Sequence, residues 1–340
     1  MKPPTPDMSL PTDGGAGDVA VRREREHREE YDRRYRVGYM QAWPEGKKRR
    51  VAGFVRSLGL PSTGVALDFG CGTGEFTALL QATLPGWEVW GVELSPEAAR
   101  IAREKVPDAR FVDPAVLRDS APRFDLIFSH HVLEHVEDLD QTFSGLNRLL
   151  LPGGHMVHIL PCGNPGSLEH TVCGWRNGGI DAASGRFFFE EPGHLRRADT
   201  ATFLRLAHAG GLRLVGERYS GHFFGGLSWI TGASPHTVLP MCSPRGVRAG
   251  AWPQLLAFSA VVMLLNGVRF PEFFRTRNHA RTLAGASSRV ERAMAGFLWP
   301  AAWISGACAR LLERLADREW VRRGAGRGGS EMYLHLLKEP

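Results

Sequence analysis

The sequence predicts an α/β fold: a mostly parallel sheet with helices on both faces and a helical insertion before the last strand. Three observations carry this. Val65-Ala66-Leu67-Asp68-Phe69 is a short apolar run that ends in Gly70-Cys71-Gly72-Thr73-Gly74, and an apolar, helix-compatible stretch follows from Phe76 to Leu84. That is a buried strand, a tight turn and a helix start. Further β-forming runs then alternate with helical ones as far as Tyr219. Finally, the 110 residues from Ser220 to Gly329 separate that point from one last β-forming run, Ser330 to Lys338.

The chain has 340 residues, room for one large α/β domain and an accessory region. Its five cysteines, Cys71, Cys162, Cys173, Cys242 and Cys308, form no C-x-x-C pair. This argues against a disulfide framework and a cysteine zinc site, and it suits a reducing cytoplasm. Residues 1–20 are rich in Pro, Gly and Asp without an apolar core, so a disordered tail is expected there and not a signal peptide. The net charge of +6 is uneven: from Pro240 to Ser330 there are 14 Arg against 5 acidic residues, a net +9, which leaves −3 for the rest.

Residues 21–62 read as an N-terminal helical cap. Tyr31 and Tyr35 share a helical face, and Val51, Phe54, Val55 and Leu58 have a helical period before Pro61 and Gly64 stop it. After the glycine turn, Glu88 to Leu94 is the second strand. Ser95 and Pro96 then supply an N-cap and a first helical residue. Ala109 to Asp113 is the third strand, Phe124 to Ser129 the fourth and His155 to Leu160 the fifth. A helix from Thr200 to Ala209 precedes a sixth strand, Leu212 to Tyr219.

Glycines at alternating positions let the backbone turn sharply and let a ligand approach the main chain, with the next helix's first N–H groups behind it. The dinucleotide fingerprint G-x-G-x-x-G does not fit, because the third glycine falls one place early and Glu75 would repel a pyrophosphate. The stretch instead resembles the first motif of the class I S-adenosylmethionine-dependent methyltransferases. Glu93, the F-D-L-I-x-S-x-x-V-L-E-H-V run from Phe124 to Val136 and the L-x-P-G-G around Pro152 continue the resemblance, which covers about 67–219.

The resemblance implies a Rossmann-like, seven-stranded, mostly parallel sheet, in which 63–219 and 330–340 form the S-adenosylmethionine-binding domain. It also implies that Asp68, Gly70, Cys71, Gly72 and Gly74 hold the methionine part of the cofactor. Glu93 would then hold the ribose, and Asp113, with Pro114 beside it, the adenine; Leu94 and Ser129 are assigned to the cofactor site as well. Such N-terminal extensions cover the cofactor, a role open to Tyr31, Tyr35 and Trp43; packing on the sheet edge is the alternative.

His130 and His131 stand just past the fourth strand, where side chains face the ligand crevice, and a histidine suits proton removal from a hydroxyl acceptor. His131, Glu134 and His135 have H-x-x-E-H spacing, which on a helix would put His131 and His135 on one face. That spacing also occurs in inverzincin peptidases, but here it follows a methyltransferase strand. It resembles, too, the metal-binding E-x-x-E-H of small-RNA 3′-terminal 2′-O-methyltransferases, with His194 in place of their downstream His and His131 departing from their first Glu. His130, His131, Glu134, His135 and His194 are therefore assigned to acceptor chemistry, and no metal ligand is assigned.

The expected activity is methyl transfer to a hydroxyl or other nucleophile of a small-molecule or lipid- or glycan-linked acceptor. The alternatives are a non-catalytic binding protein with a degenerate methyltransferase fold and an RNA methyltransferase. Nucleic acid is disfavoured, because the basic segment lacks interleaved aromatics.

In the insertion 220–329, the apolar runs 255–265 and 293–308 are flanked by Arg, and neither reaches the roughly 20 apolar residues of a spanning helix. Two roles stand: docking on an anionic membrane surface at its cytoplasmic face, with Arg269, Arg275, Arg277, Arg310 and Arg314 on lipid phosphates, or a homodimer contact.

Overall fold

A computed structural model describes residues 29–36, 43–120, 122–191, 193–283, 285, 287–297 and 299–339. The expected tail 1–20, the start of the helical cap and Leu298 lie outside the described residues.

Seven strands build one sheet: β1 Gly64–Phe69, β2 Trp87–Val92, β3 Arg110–Val112, β4 Phe124–His130, β5 Leu150–Pro161, β6 Leu212–Ser220 and β7 Glu331–Lys338. Their order is β3-β2-β1-β4-β5-β7-β6. Strands β1 to β5 pair in parallel, and β7 runs antiparallel between β5 and β6. The expected mostly parallel α/β sheet is present. Strand β5 starts earlier than expected, at Leu150, because Pro152-Gly153-Gly154 forms an irregularity within it: Gly153 takes φ 74° and the register with β4 shifts between Phe124 and Leu126.

Successive strand residues point to opposite faces. Leu67, Phe69, Ile127 and Met156 join one buried cluster with Leu146 and Phe203; Ala66, Leu126, Phe128 and Val157 join the other with Val51, Phe54 and Leu80. The helix Glu45–Arg56 thus covers the second face through its predicted apolar stripe. Strand order reverses between β1 and β4, which places the ligand crevice at the carboxyl ends of those strands. Both the glycine turn and the His130-His131 pair emerge there.

Between β6 and β7 stand five α-helices among the described residues: Phe224–Gly232, Pro235–Cys242, Trp252–Leu283, Arg289–Phe297 and Trp299–Arg323. They have a small core of their own, with Leu227, Ile230, Phe258, Val262 and Leu312 against Val172. Arg50 ties it to the cap through Asp317 at 2.6 Å.

Two expectations for the insertion are corrected. The 255–265 run sits in a continuous 32-residue helix, Trp252–Leu283, and the stretch Ala249–Pro271 that overlaps its first part is long and apolar enough to cross a membrane by length and composition. Uncharged flanking residues extend the apolar run in both directions. Arg269 does not face outward: its guanidinium donates to Ser228 O at 2.5 Å and Thr231 Oγ1 at 3.0 Å. Arg275, Arg277, Arg310 and Arg314 are exposed.

Candidate active site

The glycine turn is built from three left-handed residues, Gly70 (φ 73°), Gly72 (φ 52°) and Gly74 (φ 79°), a region that side chains other than glycine's occupy at a cost. Gly74 does not line the cleft. A Cβ there would stand 3.1 Å from Ala102, so its smallness lets the helix Glu75–Thr83 pack on the helix Pro96–Lys105.

Glu93, one residue past β2, holds the turn in place: Gly72 N–H donates to Oε2 and Ser95 N–H to Oε1, both at 2.9 Å. Burial raises the Glu93 pKa, and those backbone donors oppose the rise. A carboxylate accepts about four hydrogen bonds, so roughly two acceptor positions remain for a ligand. Glu75, at the start of the following helix, is neutralised by Lys105 at 2.7 Å and Lys48 at 3.6 Å.

A half-open cleft lies over this turn. Gly70, Cys71, Gly72, Glu93, Leu94, His130, His131, His135 and His194 line it, as expected from the sequence. Tyr31, Tyr35 and Trp43 line it as well, so the N-terminal extension does cover the crevice. The helix over residues 29–36 is fastened at both sides. Asp32 accepts from Ser95 Oγ and from Glu97 N–H, and Arg34 pairs with Glu191 at 2.7 Å. A Cβ on Gly72 would lie 3.2 Å from the Tyr35 hydroxyl.

Besides Gly74, four expected cofactor residues do not line the cleft. Asp68 is buried beneath the turn, where it accepts from Thr77 Oγ1 at 2.7 Å; burial raises its pKa to about 7. Ser129 faces β5, 2.7 Å from His158 Nδ1, because alternation along β4 turns it away from the cleft. Asp113 is exposed and accepts from Ala115 N–H at 2.9 Å, a local turn that uses its carboxylate. Pro114 opens the helix after that turn, outside the cleft.

The H-x-x-E-H segment is not helical. Residues 133–135 form a turn with His135 N–H donating to Val132 O at 2.9 Å, and the next helix begins at Leu139. His131 is the single non-glycine residue with positive φ, 54°, among the described residues. That backbone sends its ring toward β7, so Nε2 lies 2.8 Å from Glu331 Oε1 and 3.0 Å from Lys47 Nζ, while Nδ1 lies 3.0 Å from Glu134 Oε1. Both ring nitrogens are thus engaged. His130 differs: its ring packs 3.9 Å from Phe76 and 4.6 Å from Trp43, and its buried Nε2 has no hydrogen-bond partner among the described residues. Burial, with Lys47 and His131 close by, holds its pKa well below the ordinary value.

His135 and His194 meet edge to face at 4.8 Å beside Glu134, so the downstream His does return to the site. Sequence reasoning missed Lys47, Phe76, Glu191 and Glu331. The first and last are brought to His131 by tertiary packing alone. Phe76 directly follows the glycine motif, and Glu191 stands three residues before His194; those were the available signals.

A glycine cradle under a cleft at the strand-order reversal, with a carboxylate at the end of β2, defines a class I S-adenosylmethionine-dependent methyltransferase. The cradle, Glu93 and the aromatic cover fit that cofactor. The family described as "Methyltransferase domain" matches residues 37–217, just over half of the chain, and the chain belongs to it.

Trans-aconitate 2-methyltransferase of Escherichia coli K12 is 38% identical over 96 residues, 28% of this chain and 38% of that protein. The enzyme of the same name from Methylobacterium radiotolerans is 34% identical over 118 residues, 34% of this chain and 45% of that protein. The chain therefore spans less than half the length of these relatives. Among solved structures, the [4+2]-cyclase SpnF aligns over 93% of this chain and 97% of its own at 16% identity and TM-score 0.49. The Haemonchus contortus phosphoethanolamine N-methyltransferase 2 aligns over 91% of this chain and 56% of its own, at 14% identity and TM-score 0.46.

Proposed function

We propose that this protein transfers a methyl group from S-adenosylmethionine to an oxygen of a small or lipid- or glycan-linked acceptor, with His130 receiving the acceptor's proton. The observation that carries the reading is the pairing, across one cleft, of the Glu93-braced glycine turn with an unpartnered imidazole nitrogen. Bound there, the cofactor would supply a sulfonium methyl, whose transfer to a hydroxyl leaves a neutral thioether and frees one proton.

The residues divide the remaining tasks. Gly70, Gly72 and Glu93 would hold the cofactor, with Tyr31, Tyr35 and Trp43 excluding water above it. Burial, with Lys47 and His131 close by, disfavours the protonated ring, so His130 is neutral as the acceptor arrives and would carry the proton only in passing. Lys47 and Glu331 fix His131, which in turn braces Glu134.

Labelled-methyl transfer against lipid, glycan and small-molecule extracts tests the reading. His130→Gln is expected to lower kcat by about 10²-fold or more and to leave cofactor affinity within a few fold. An equal loss in both would remove His130 from the chemistry. A cleft that binds no S-adenosylmethionine would favour a non-catalytic binding protein.

The membrane role belongs to the same proposal. The insertion exposes Leu264 (68%), Phe297 (86%) and Trp303 (74%), and Arg275 and Arg277 are exposed on the helix of Leu264, Arg310 and Arg314 on that of Trp303. Apolar side chains beside cations suit the headgroup–acyl boundary of an anionic leaflet, each cation contributing about 1 kcal/mol. Such docking at the cytoplasmic face would bring the cleft to a lipid-linked acceptor. Flotation with anionic liposomes, followed by alkaline extraction, separates surface docking from insertion of the 249–271 stretch. A tight dimer that stays with the soluble fraction at low salt would replace this reading with the homodimer.

A further inference from the structure

Two groups of potential ligands line or border the cleft: His130, His131 and Glu331, and Glu134, His135 and His194. Within each, the ligand atoms lie within 4.8 Å of one another. They are electrostatically unlike. The first already contains a cation, since Lys47 Nζ stands 2.5 Å from Glu331 Oε1 and 3.0 Å from His131 Nε2. A metal ion there would face an ammonium at contact distance.

Among the described residues the second group has no Lys or Arg paired with its carboxylate: the nearby Arg34 is held by Glu191 at 2.7 Å. Glu134 is 1% exposed; its Oε1 meets only His131 Nδ1, at 3.0 Å, and its Oε2 has no hydrogen-bond donor among the described residues. A fully buried carboxylate with an unmet oxygen costs several kcal/mol unless a positive partner is supplied. His135 is oriented to supply a ligand. Its Nδ1 lies 2.9 Å from Gly193 O, and a carbonyl only accepts, so Nδ1 carries the proton and Nε2 keeps a lone pair. That backbone bond is the arrangement that metal-bound histidines use to fix their tautomer. His194 closes the set, with Nδ1 buried and without a hydrogen-bond partner among the described residues; the nearest carboxylates, Glu190 and Glu191, lie 3.8 and 3.7 Å from its ring nitrogens.

We propose that Glu134, His135 and His194 bind one divalent first-row transition ion, such as Mn²⁺, Fe²⁺, Co²⁺ or Zn²⁺, at the wall of the cleft. Two imidazoles and one carboxylate suit these ions; Mg²⁺ and Ca²⁺ call for oxygen shells. Bonds of about 2.0–2.2 Å hold neighbouring ligand atoms roughly 3–3.5 Å apart, so the three side chains draw together by about an ångström on binding. Since His135 and His194 line the cleft, the ion's remaining positions open onto it, where an acceptor hydroxyl or carboxylate oxygen can bind. That last role rests on the methyltransferase reading above; the ion site does not.

The test is titration of chelator-stripped full-length protein with Co²⁺, read by its visible absorption, beside a separate S-adenosylmethionine titration of each sample. One equivalent of Co²⁺ is expected, with affinity falling on the order of 100-fold in His135→Ala and in His194→Ala, and at least about 10-fold in the isosteric Glu134→Gln. Asp113→Asn, at an exposed carboxylate away from the cleft, is expected to bind Co²⁺ within about twofold of wild type, and retained cofactor affinity reports an intact cleft in each variant. Absence of a Co²⁺ band in wild type, or a band unchanged in both histidine variants, overturns the ion site while leaving the methyltransferase reading standing. Failure of S-adenosylmethionine to bind while Co²⁺ does would overturn the latter alone.

Discussion

The sheet and the helical insertion treat the same kinds of side chain in opposite ways. In the sheet, Leu67, Leu126, Ile127 and Phe128 are wholly buried, and each strand divides its apolar residues between two packed faces. In the insertion, the 32-residue helix buries Leu255, Phe258 and Val262 but leaves Leu256, Val261 and Leu264 in the open. Apolar composition therefore does not distinguish core from surface here; what distinguishes them is whether a second layer exists to receive the face. The sheet has helices on both sides. Among the described residues, the insertion has a smaller core and leaves several of its apolar side chains exposed.

Substitutions can break or sharpen that contrast. The largest effect is expected in the sheet: Phe128→Ala empties a site packed on both sides and is expected to cost about 3–5 kcal/mol of unfolding free energy, read by urea denaturation. A loss under about 1 kcal/mol would mean that the sheet core is as loose as the insertion.

The sheet also buries two titratable groups whose effects on stability oppose each other. His158 is held down to about 3 by burial, so the folded state resists protonation; its contribution is present above the unfolded value near 6.5 and is lost as pH falls from there toward 3. Asp68 is raised from 3.8 to about 7, so the folded state keeps its proton longer than the unfolded chain; its contribution is present at low pH and is lost as pH rises from about 4 through 7. Asp68→Asn is therefore expected to gain melting temperature on the wild type as pH rises across that window. His158→Gln is expected to flatten the acid side. Parallel pH curves for wild type and both variants would contradict the burial of these groups.

Glu93 sharpens the comparison at the cleft. Glu93→Ala leaves the Gly72 and Ser95 N–H groups without their partner and is expected to weaken cofactor binding by about 1–3 kcal/mol, measured by calorimetry. Glu93→Gln, which keeps an acceptor oxygen, is expected to lose less. The smallest effect on stability belongs to the insertion. Leu264→Glu and Trp303→Glu are expected to change unfolding free energy by no more than about 0.5 kcal/mol and to abolish liposome flotation. A large loss of stability would show that the face is covered in solution by a second copy.

The sequence alone determined the sheet, its mostly parallel order and the cradle. Strand period, the glycine turn and the Ser95 N-cap are local features, readable within a few residues; Ser95 Oγ does accept from Ala98 N–H at 3.2 Å. It also named four of the five acceptor-side residues that line the cleft wall, Glu134 standing beside it, whereas for Tyr31, Tyr35 and Trp43 it left sheet-edge packing open and the fold decided. Motif matching assigned Asp68, Ser129 and Asp113 to the cofactor, but the direction of a side chain depends on the strand's neighbours and on local turn bonds. Only the tertiary structure divided the histidines into two groups. His131 turns away through its positive φ and is caught by Lys47 and Glu331, which lie 84 and 200 positions away in the chain. His194 returns to Glu134 and His135 across 59 positions. No local pattern encodes such meetings, because they are fixed by how strands order themselves in the sheet and by which loops the packing brings over the crevice.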